Sequence, residues 1–237
     1  MVGANLMYLR DKNCAILIPH YNTPLALERL LAKISPHLYE QTLVIDDGSE
    51  QMPRNLPCPM IRHSKNQGYG AAQKSGYLHI LHNEAWQHIT HIAMVHGDNQ
   101  YDIHSIWSAA KEAHSIQLGS RHLEPAPPEY PLWRKWGNHA LTGLANRAFN
   151  CSYSDLHTGA RIYSREFLTD LHWDKLSDDF VFDHQLLSIA LASEIPIIEF
   201  PIPANYGQNV SSISFVRSVE YGLGCLHSLW AAKRAKF

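Results

Sequence analysis

Short apolar runs alternate with amphipathic segments along the first half of the chain. The run CAILIP at 14–19 predicts a buried strand, because it is continuous and apolar and a proline ends it. Thr23 and Pro24 then supply an N-cap and a first helical residue, and leucines at helical spacing follow. Further strands are predicted over 42–46, 91–95 and 116–120, and helices over 71–81 and 102–113. This order predicts an α/β fold with a mostly parallel central sheet flanked by helices.

The second half lacks this regular alternation and begins with a stiff proline-rich loop. A long helix is predicted over about 132–149, a loop with a short strand over 157–164, a helix over 180–192, an edge strand over 196–206 and a closing helix from about 213. No linker divides these segments. We therefore expect a single domain over 1–237.

The composition excludes several classes of protein. The 237 residues include 20 Lys plus Arg and 22 Asp plus Glu, a balance that does not favour nucleic-acid binding. No apolar run approaches the roughly 20 residues of a membrane-spanning helix, and the N-terminal segment lacks the apolar core of a secretory signal. The four cysteines form no CxxC pair, so we expect reduced thiols in a cytoplasmic protein. The 16 histidines are expected on helix surfaces.

Polar side chains follow each of the first four predicted strands. Tyr21 follows the first strand, Asp47 the second, His96 and Asp98 the third, and Arg121 the fourth. Ligands of an open parallel sheet bind beyond the carboxyl ends of its strands, so these side chains are expected at one edge. A ring can stack on a base, carboxylates can bind a base N–H or a metal, and an arginine can pair with phosphate. Since no G-x-G-x-x-G follows the first strand, a metal-assisted nucleotide-sugar site is favoured over a dinucleotide site.

Six motifs in order carry a resemblance to a known family. They are IPHYNTP, VIDDGS, NQGYGAA, HGDNQYD, GSR and DLHTGARIYSREFL. From about Cys14 to about Ser218, the chain resembles a family-2 glycosyltransferase of the GT-A fold, close to the dolichol-phosphate mannosyltransferase group. The resemblance implies an inverting transferase that uses a nucleotide-diphosphate sugar. It divides the domain into a nucleotide-binding half at about 14–122 and an acceptor-side half at about 123–237.

The resemblance also implies a set of nucleotide-binding residues. They are Pro19, Tyr21, Thr23, Ile45, Asp47, Asn66, Gly68, Gly97 and Arg121. Asp47 would accept a hydrogen bond from the base, whereas its neighbour Asp46 should turn to the other sheet face. Arg121 would contact the diphosphate. The simpler interpretations are a plain turn at Asp47, a solvated charge at Arg121 and a glycine required for positive φ at Gly68.

The predicted metal ligands depart from the family's Asp-x-Asp pattern. They are His96, Asp98 and Gln100. Because Mg²⁺ prefers oxygen and imidazole suits softer ions, this set favours Mn²⁺ over Mg²⁺. Alternatively, Asp98 alone holds the metal while His96 touches ribose or phosphate, or His96 only caps its strand.

The acceptor side is expected in the second half of the chain. Asp183 and, less well, Asp179 match an acidic position that faces the acceptor in the family, although carboxylates also favour a helix N-terminus for electrostatic reasons. Asp155, Thr158 and Arg161 match the acceptor-side motif, with Arg161 bound to a phosphate or to a core carboxylate. A hydroxyl acceptor needs a general base, but an ionised phosphate does not.

The predicted activity is metal-assisted transfer of a sugar to a growing glycan or a polyprenyl phosphate, as in polysaccharide biosynthesis. Asn205 and Ser212 stand where dolichol-phosphate synthases carry cations, which weakens the lipid-phosphate interpretation. Lys233, Arg234 and Lys236 could touch anionic lipid at the inner membrane face, but a solvated helix end, where cations are favoured, explains them equally well. The alternatives are a non-catalytic nucleotide-sugar or glycan binding module with a decayed metal site, and a nucleotidyltransferase. The latter is disfavoured because no glycine-rich basic loop follows the first strand.

Overall fold

The computed structural model describes residues 13–53, 55–110, 116–123, 132–203 and 215–234. The strands are β1 (Cys14–His20), β2 (Thr42–Asp46), β3 (Met60–Arg62), β4 (His91–Met94), β5 (Ile116–Ser120), β6 (Arg161–Ser164) and β7 (Ile197–Pro201). The α-helices are α1 (Pro24–Leu31), α2 (Tyr69–His82), α3 (Ile103–Ala109), α4 (Leu132–Phe149), α5 (Arg165–Thr169), α6 (Phe182–Ala192) and α7 (Phe215–Arg234).

One seven-stranded sheet contains strands from both halves of the chain, in the order β3-β2-β1-β4-β6-β5-β7. The neighbours are parallel except around β6, which lies antiparallel between β4 and β5. The predicted α/β fold with a mostly parallel, helix-flanked sheet is confirmed. The edge position predicted for the last strand is also confirmed, and an edge tolerates a proline such as Pro201 because it demands fewer backbone donors.

The core lies on both faces of this sheet, as expected for parallel strands covered by helices. Ala15 and Leu17 of β1 belong to one buried cluster, which also contains residues of α2 and α6. Ile16 and Ile18 belong to the other, with residues of α1 and α3. The alternation follows from the two-residue period of a strand. Burial of each such Leu or Ile side chain stabilises the folded state by roughly 1.5–3 kcal/mol relative to leaving it exposed.

Several local predictions need correction. The three-residue edge strand β3 and the five-residue helix α5 were not predicted, because so short a segment shows no periodicity. The helix expected over 102–113 ends at Ala109, and residues 111–115 lie outside the described part. The helix expected over 180–192 begins at Phe182, after a turn in which the Phe182 N–H donates to the Asp179 carbonyl.

The expectation that histidines lie on helix surfaces is wrong for several of them. His20, His63, His91 and His184 are buried. A neutral imidazole combines an apolar body with one donor and one acceptor, so the interior accepts it where partners exist. The four cysteines are free thiols. Among the described helices, none has the length and hydropathy to cross a membrane.

Candidate active site

Backbone hydrogen bonds bring the ends of β1, β2 and β4 together. The Asp47 N–H donates to the His20 carbonyl at 2.9 Å, and the Gly97 N–H donates to the Pro19 carbonyl at 3.2 Å. A Cβ atom on Gly97 would lie 3.0 Å from the Pro19 carbonyl oxygen, so a glycine permits this close approach. These bonds bring the backbone of Pro19, Asp47 and Gly97 together, while the meeting of the Tyr21, Asp47, His96, Asp98 and Arg121 side chains stays a prediction.

Three more predicted residues lie at or just beyond the ends of β1 and β2. Ile45 is buried beside Pro19, its partner in the β1–β2 register. Tyr21 lies just beyond β1 and is 47% exposed, so its ring is accessible to a ligand. Thr23 precedes α1, and its carbonyl accepts the first helical N–H bonds while its side chain makes no cap.

The carboxylate of Asp47 holds the glycine-containing loop that precedes α2. Its Oδ1 atom accepts from the Gln67 N–H at 2.9 Å and from His63 Nδ1 at 2.7 Å. Its Oδ2 atom accepts from the Gly68 N–H at 2.9 Å. Asn66, at the start of this loop, is exposed. Asp47 thus shapes the predicted nucleotide pocket through the backbone, and its contact with the base stays a prediction.

The neighbouring Asp46 has a separate set of partners. Its carboxylate contacts His20 Nδ1 at 3.2 Å and Arg62 Nε at 3.2 Å, and accepts from the Ser49 N–H at 3.3 Å. Asp46 is the last residue of β2 and Asp47 is the first residue beyond it, and the two carboxylates bind different groups.

The same loop is fastened on its other side to the segment before α6. The N–H groups of Gly70 and Ala71 donate to the Asp178 carbonyl at 2.7 and 3.1 Å. Gly68 has a φ of +111°, and a Cβ atom there would overlap the same carbonyl oxygen. Gly68 is therefore required by both its backbone conformation and its surroundings.

A tyrosine links the predicted metal ligand His96 with the predicted base Asp183. The Tyr69 hydroxyl donates to Asp183 Oδ2 at 2.9 Å and lies 2.5 Å from His96 Nε2. Because the hydroxyl has one proton, Tyr69 accepts from the His96 Nε2–H group. Gln73 donates to Asp183 Oδ1 at 2.8 Å. Burial, together with the charge of Asp183, raises the pKa of Tyr69 well above its usual value.

Sequence reasoning missed Tyr69, Gln73 and His63. Tyr69 and Gln73 are four residues apart at the start of α2, so they share one face of this helix. That spacing was the available signal for the pair. His63 follows β3, a strand too short to be predicted, so its position at the carboxyl edge could not be foreseen.

The predicted metal ligands lie in one turn after β4. Asp98 and Gln100 are half-buried, and Asp98 Oδ1 accepts from the Gln100 N–H at 3.1 Å. Carboxylate and amide oxygens suit a divalent cation whose other ligands come from phosphates and water, so these residues fit such an ion. His96 donates from Nε2 to Tyr69, which leaves Nδ1 as its only ligand atom.

Arg121 is paired inside the protein with Asp155. Nε of Arg121 donates to Asp155 Oδ2 at 2.6 Å, and a terminal nitrogen donates to Oδ1 at 2.9 Å. Burial alone would raise the pKa of Asp155, but Arg121 outweighs it and holds this pKa well below the usual value. The structure therefore joins a predicted diphosphate ligand to a predicted acceptor-side residue.

The other acceptor-side residues form a buried network beneath α6. Arg161 is 1% exposed, donates to the Thr158 carbonyl at 2.7 Å and lies 4.0 Å from Asp183 Oδ2. Burial alone would lower the pKa of Arg161, but Asp183 and Tyr163 raise it. Of the alternatives left open for Arg161, this geometry favours pairing with a core carboxylate.

Asp179 differs from Asp183 in its surroundings. It is exposed, and its Oδ1 atom accepts from the Phe180 N–H at 2.7 Å. The ring of Phe180 stacks on Tyr69, with 5.1 Å between centroids. Asn205 and Ser212 lie outside the described residues.

Known proteins share this architecture. The UDP-N-acetylglucosamine–dolichyl-phosphate N-acetylglucosaminyltransferase of Methanococcus voltae is 23% identical over 225 residues, covering 84% of this chain and 88% of that protein. The Mycobacterium tuberculosis glucosyl-3-phosphoglycerate synthase in complex with Mn²⁺, UDP and glucosyl-3-phosphoglycerate gives a TM-score of 0.68 at 13% identity, covering 95% of this chain and 81% of that one. The chain has the GT-A glycosyltransferase fold.

The same synthase in complex with Mg²⁺ and UDP gives a TM-score of 0.67 at 12% identity, covering 95% of this chain and 81% of that one. No protein-family profile matches the chain. The relative from Methanococcus voltae and the shared fold confirm the resemblance to GT-A glycosyltransferases of the dolichol-phosphate type that the six motifs indicate.

Proposed function

We propose that this protein is an inverting glycosyltransferase that moves a sugar from a UDP-sugar to a phosphate-bearing acceptor, most simply a polyprenyl phosphate. The observation that carries the proposal is the junction of Pro19, Asp47 and Gly97 at the carboxyl edge of the sheet. The relatives support the chemistry, since one is named for UDP-N-acetylglucosamine and dolichyl phosphate and the other is bound to UDP and glucosyl-3-phosphoglycerate.

Three residues of the edge are assigned to the donor. The exposed ring of Tyr21 stacks on the base. A carboxylate offers about four acceptor sites, and described groups occupy three on Asp47, so one site can accept the base N–H. Asp155 fixes the orientation of the Arg121 guanidinium, which is assigned to contact the diphosphate.

Asp98, Gln100 and Nδ1 of His96 are proposed to hold a divalent cation, and the single nitrogen ligand favours Mn²⁺ over Mg²⁺. Bound there, the cation would neutralise charge on the departing diphosphate. The protein groups orient the donor and keep His96 in one tautomer, because Nε2 is hydrogen-bonded to Tyr69.

The choice of acceptor decides the role of the carboxylates. A phosphate acceptor is already ionised, so it needs no general base, and Asp183 then serves to position Tyr69. A sugar hydroxyl would require Asp183 or the exposed Asp179 as the base. With a polyprenyl phosphate, Asp179→Asn should keep the transfer rate within about threefold, whereas a loss of roughly 10²-fold or more would favour a glycan acceptor.

A thermal-shift panel of nucleoside diphosphates, with and without Mn²⁺, tests the donor site. At about 100 times its dissociation constant, UDP should stabilise the chain by about 2.7 kcal/mol, roughly a 5–10 °C rise in Tm. Asp98→Asn should remove the Mn²⁺-dependent part, while the exposed matched control Asp170→Asn should not. Flat curves for every nucleotide would contradict the proposal.

Turnover separates an enzyme from a binding module. Purified protein with Mn²⁺, a UDP-sugar and polyprenyl phosphate should release UDP and form a glycolipid of inverted anomeric configuration. UDP binding without any turnover would favour the non-catalytic module.

An exposed apolar surface supports contact with a membrane that carries the acceptor. We call it the α4–α7 apolar face and define it by the exposed apolar residues of the two helices, which are Trp136, Leu144, Val219, Leu223, Leu226 and Trp230. The two helices pack against each other, and the four residues of α7 recur at a spacing of three or four on one face. Lys233 and Arg234 are exposed at the end of α7, where they suit anionic headgroups.

We therefore also propose that the protein is cytoplasmic and makes peripheral contact with the inner face of the membrane. Its free thiols fit that compartment. Leu223 is 63% exposed, so Leu223→Ser should weaken sedimentation with anionic vesicles about tenfold. Leu25→Ser is the matched control, since Leu25 is 67% exposed on α1. Equal binding by both variants, or dimerisation through this face, would contradict membrane contact.

A further inference from the structure

A buried group of two histidines and a cysteine lies behind the acceptor-side residues. One nitrogen of His157, one nitrogen of His184 and Sγ of Cys225 lie within 4.8 Å of one another. The three residues come from the loop before β6, from α6 and from α7. The two imidazole rings stack, with 5.5 Å between centroids and 16° between planes. Ligand atoms around tetrahedral zinc are roughly 3.5 Å apart, so the group would need to contract by at most about 1.3 Å to bind the ion.

The surrounding hydrogen bonds leave metal-binding lone pairs on these residues. Ser188 Oγ donates to the His184 carbonyl at 2.8 Å, so it accepts from His184 Nδ1 at 3.2 Å. The Tyr221 hydroxyl contacts His157 Nδ1 at 3.0 Å and also hydrogen-bonds Cys225. One arrangement satisfies all these groups: the His157 Nδ1–H donates to Tyr221, and Tyr221 donates to the sulfur. Both rings then have an unprotonated Nε2.

His157 supplies a second, independent observation. Its Nε2 atom is buried and has no hydrogen-bond partner in the described part of the structure. An unsatisfied buried polar atom costs roughly 1–3 kcal/mol, so such atoms need a reason. A bound metal ion would satisfy this nitrogen.

We propose that His157, His184 and Cys225 bind a zinc ion that fastens the C-terminal helix α7 to α6 and to the loop before β6. Two imidazoles and a thiolate suit Zn²⁺, with water as a fourth ligand, and exclude Mg²⁺, which prefers oxygen. Tyr221 and Ser188 provide the outer hydrogen bonds that orient ligating histidines in zinc sites. This site is separate from the cation proposed at Asp98 and does not depend on the proposed function.

The protonation states agree with this assignment. Burial lowers the pKa of His157 to about 4 and that of His184 well below its usual value, so both rings are neutral near pH 7. Burial raises the pKa of Cys225 to about 12, so the free protein carries a thiol. Zinc binding therefore forms one Zn–S bond, breaks the S–H bond and releases one proton to solvent.

Nearby charges act on the group in opposite directions. The Asp155 carboxylate favours positive charge at His157, whereas Arg161 and Arg121 oppose it. The thiolate reduces the net charge of the bound ion to +1. Zinc stands above Mn²⁺ in affinity for nitrogen and sulfur ligands, so Zn²⁺ is the ion expected here despite the arginines.

Metal binding to the full chain tests the proposal directly. Chelator-treated protein should take up one Zn²⁺ per chain, unaffected by excess Mg²⁺, with release of one proton. Co²⁺ in place of zinc should give the intense visible bands of a tetrahedral site and a near-ultraviolet thiolate-to-cobalt charge-transfer band. Absence of this band in the unaltered protein would overturn the proposal whether or not any variant folds.

Variants locate the ligands. Cys225→Ser should abolish the charge-transfer band, and His157→Gln should weaken zinc binding at least about 100-fold. Cys151→Ser is the matched control, since this half-buried thiol bonds Asn146 instead, and it should keep the band. Asp98→Asn should bind zinc normally even if it loses UDP binding. Zinc binding unchanged in Cys225→Ser would refute the assignment.

Discussion

Neutralising Asp155 tests how strongly the interior depends on its pair with Arg121. The two side chains are 1% and 7% exposed and share hydrogen bonds of 2.6 and 2.9 Å. Asp155 also accepts from the N–H groups of Arg121 and His157 at 3.3 and 3.0 Å. Removing one member of a buried ion pair costs about 3–5 kcal/mol, because the other charge stays buried without compensation.

Asp155→Asn keeps one acceptor oxygen, so the expected loss is near the lower limit, about 3 kcal/mol. For a chain of this length that corresponds to a fall in Tm of about 6–12 °C. Urea unfolding followed by circular dichroism measures it, with Asp170→Asn as the exposed control. Adding Arg121→Gln to Asp155→Asn should recover part of the loss, since neither member of this buried pair is then charged. A single variant within about 0.5 kcal/mol of the control would refute the reasoning.

Two further changes probe the loop and the tyrosine link. Tyr69→Phe removes the hydroxyl between His96 and Asp183, so the free energy of unfolding should fall by about 1–2 kcal/mol. The kcat should fall about tenfold while the Kd for UDP stays unchanged. An unaltered kcat would exclude a role of Tyr69 in positioning. Gly68→Ala should lower the free energy of unfolding in urea by about 1–3 kcal/mol, because of the positive φ and the overlap with a carbonyl oxygen. The control Gly143→Ala, in open space on α4, should raise the free energy of unfolding by about 0.5–1 kcal/mol. Equal effects of the two changes would contradict the role of Gly68 in the loop.

The predicted strands agree closely with β1, β2, β4 and β5, since each is a short apolar run bounded by turn residues. The carboxyl edge was also predictable as the place of the polar side chains, because parallel strands direct their carboxyl ends to one side. Elements too short to show periodicity, such as β3 and α5, were not predicted. The antiparallel insertion of β6 depends on contacts with strands far away in the chain, which no local pattern records.

The sequence by itself determined the α/β class, the strand ends that carry chemistry and the motifs of a nucleotide-sugar enzyme, because periodicity and turn residues act over a few positions. Only the tertiary structure decided the partners of each charge. Asp47 bonds the loop at Gly68, and Arg121 faces Asp155. These hydrogen bonds join residues that are 21 and 34 positions apart in the sequence. A buried charge needs a partner because it has lost its contacts with water, and only the tertiary structure determines which group is close enough to serve.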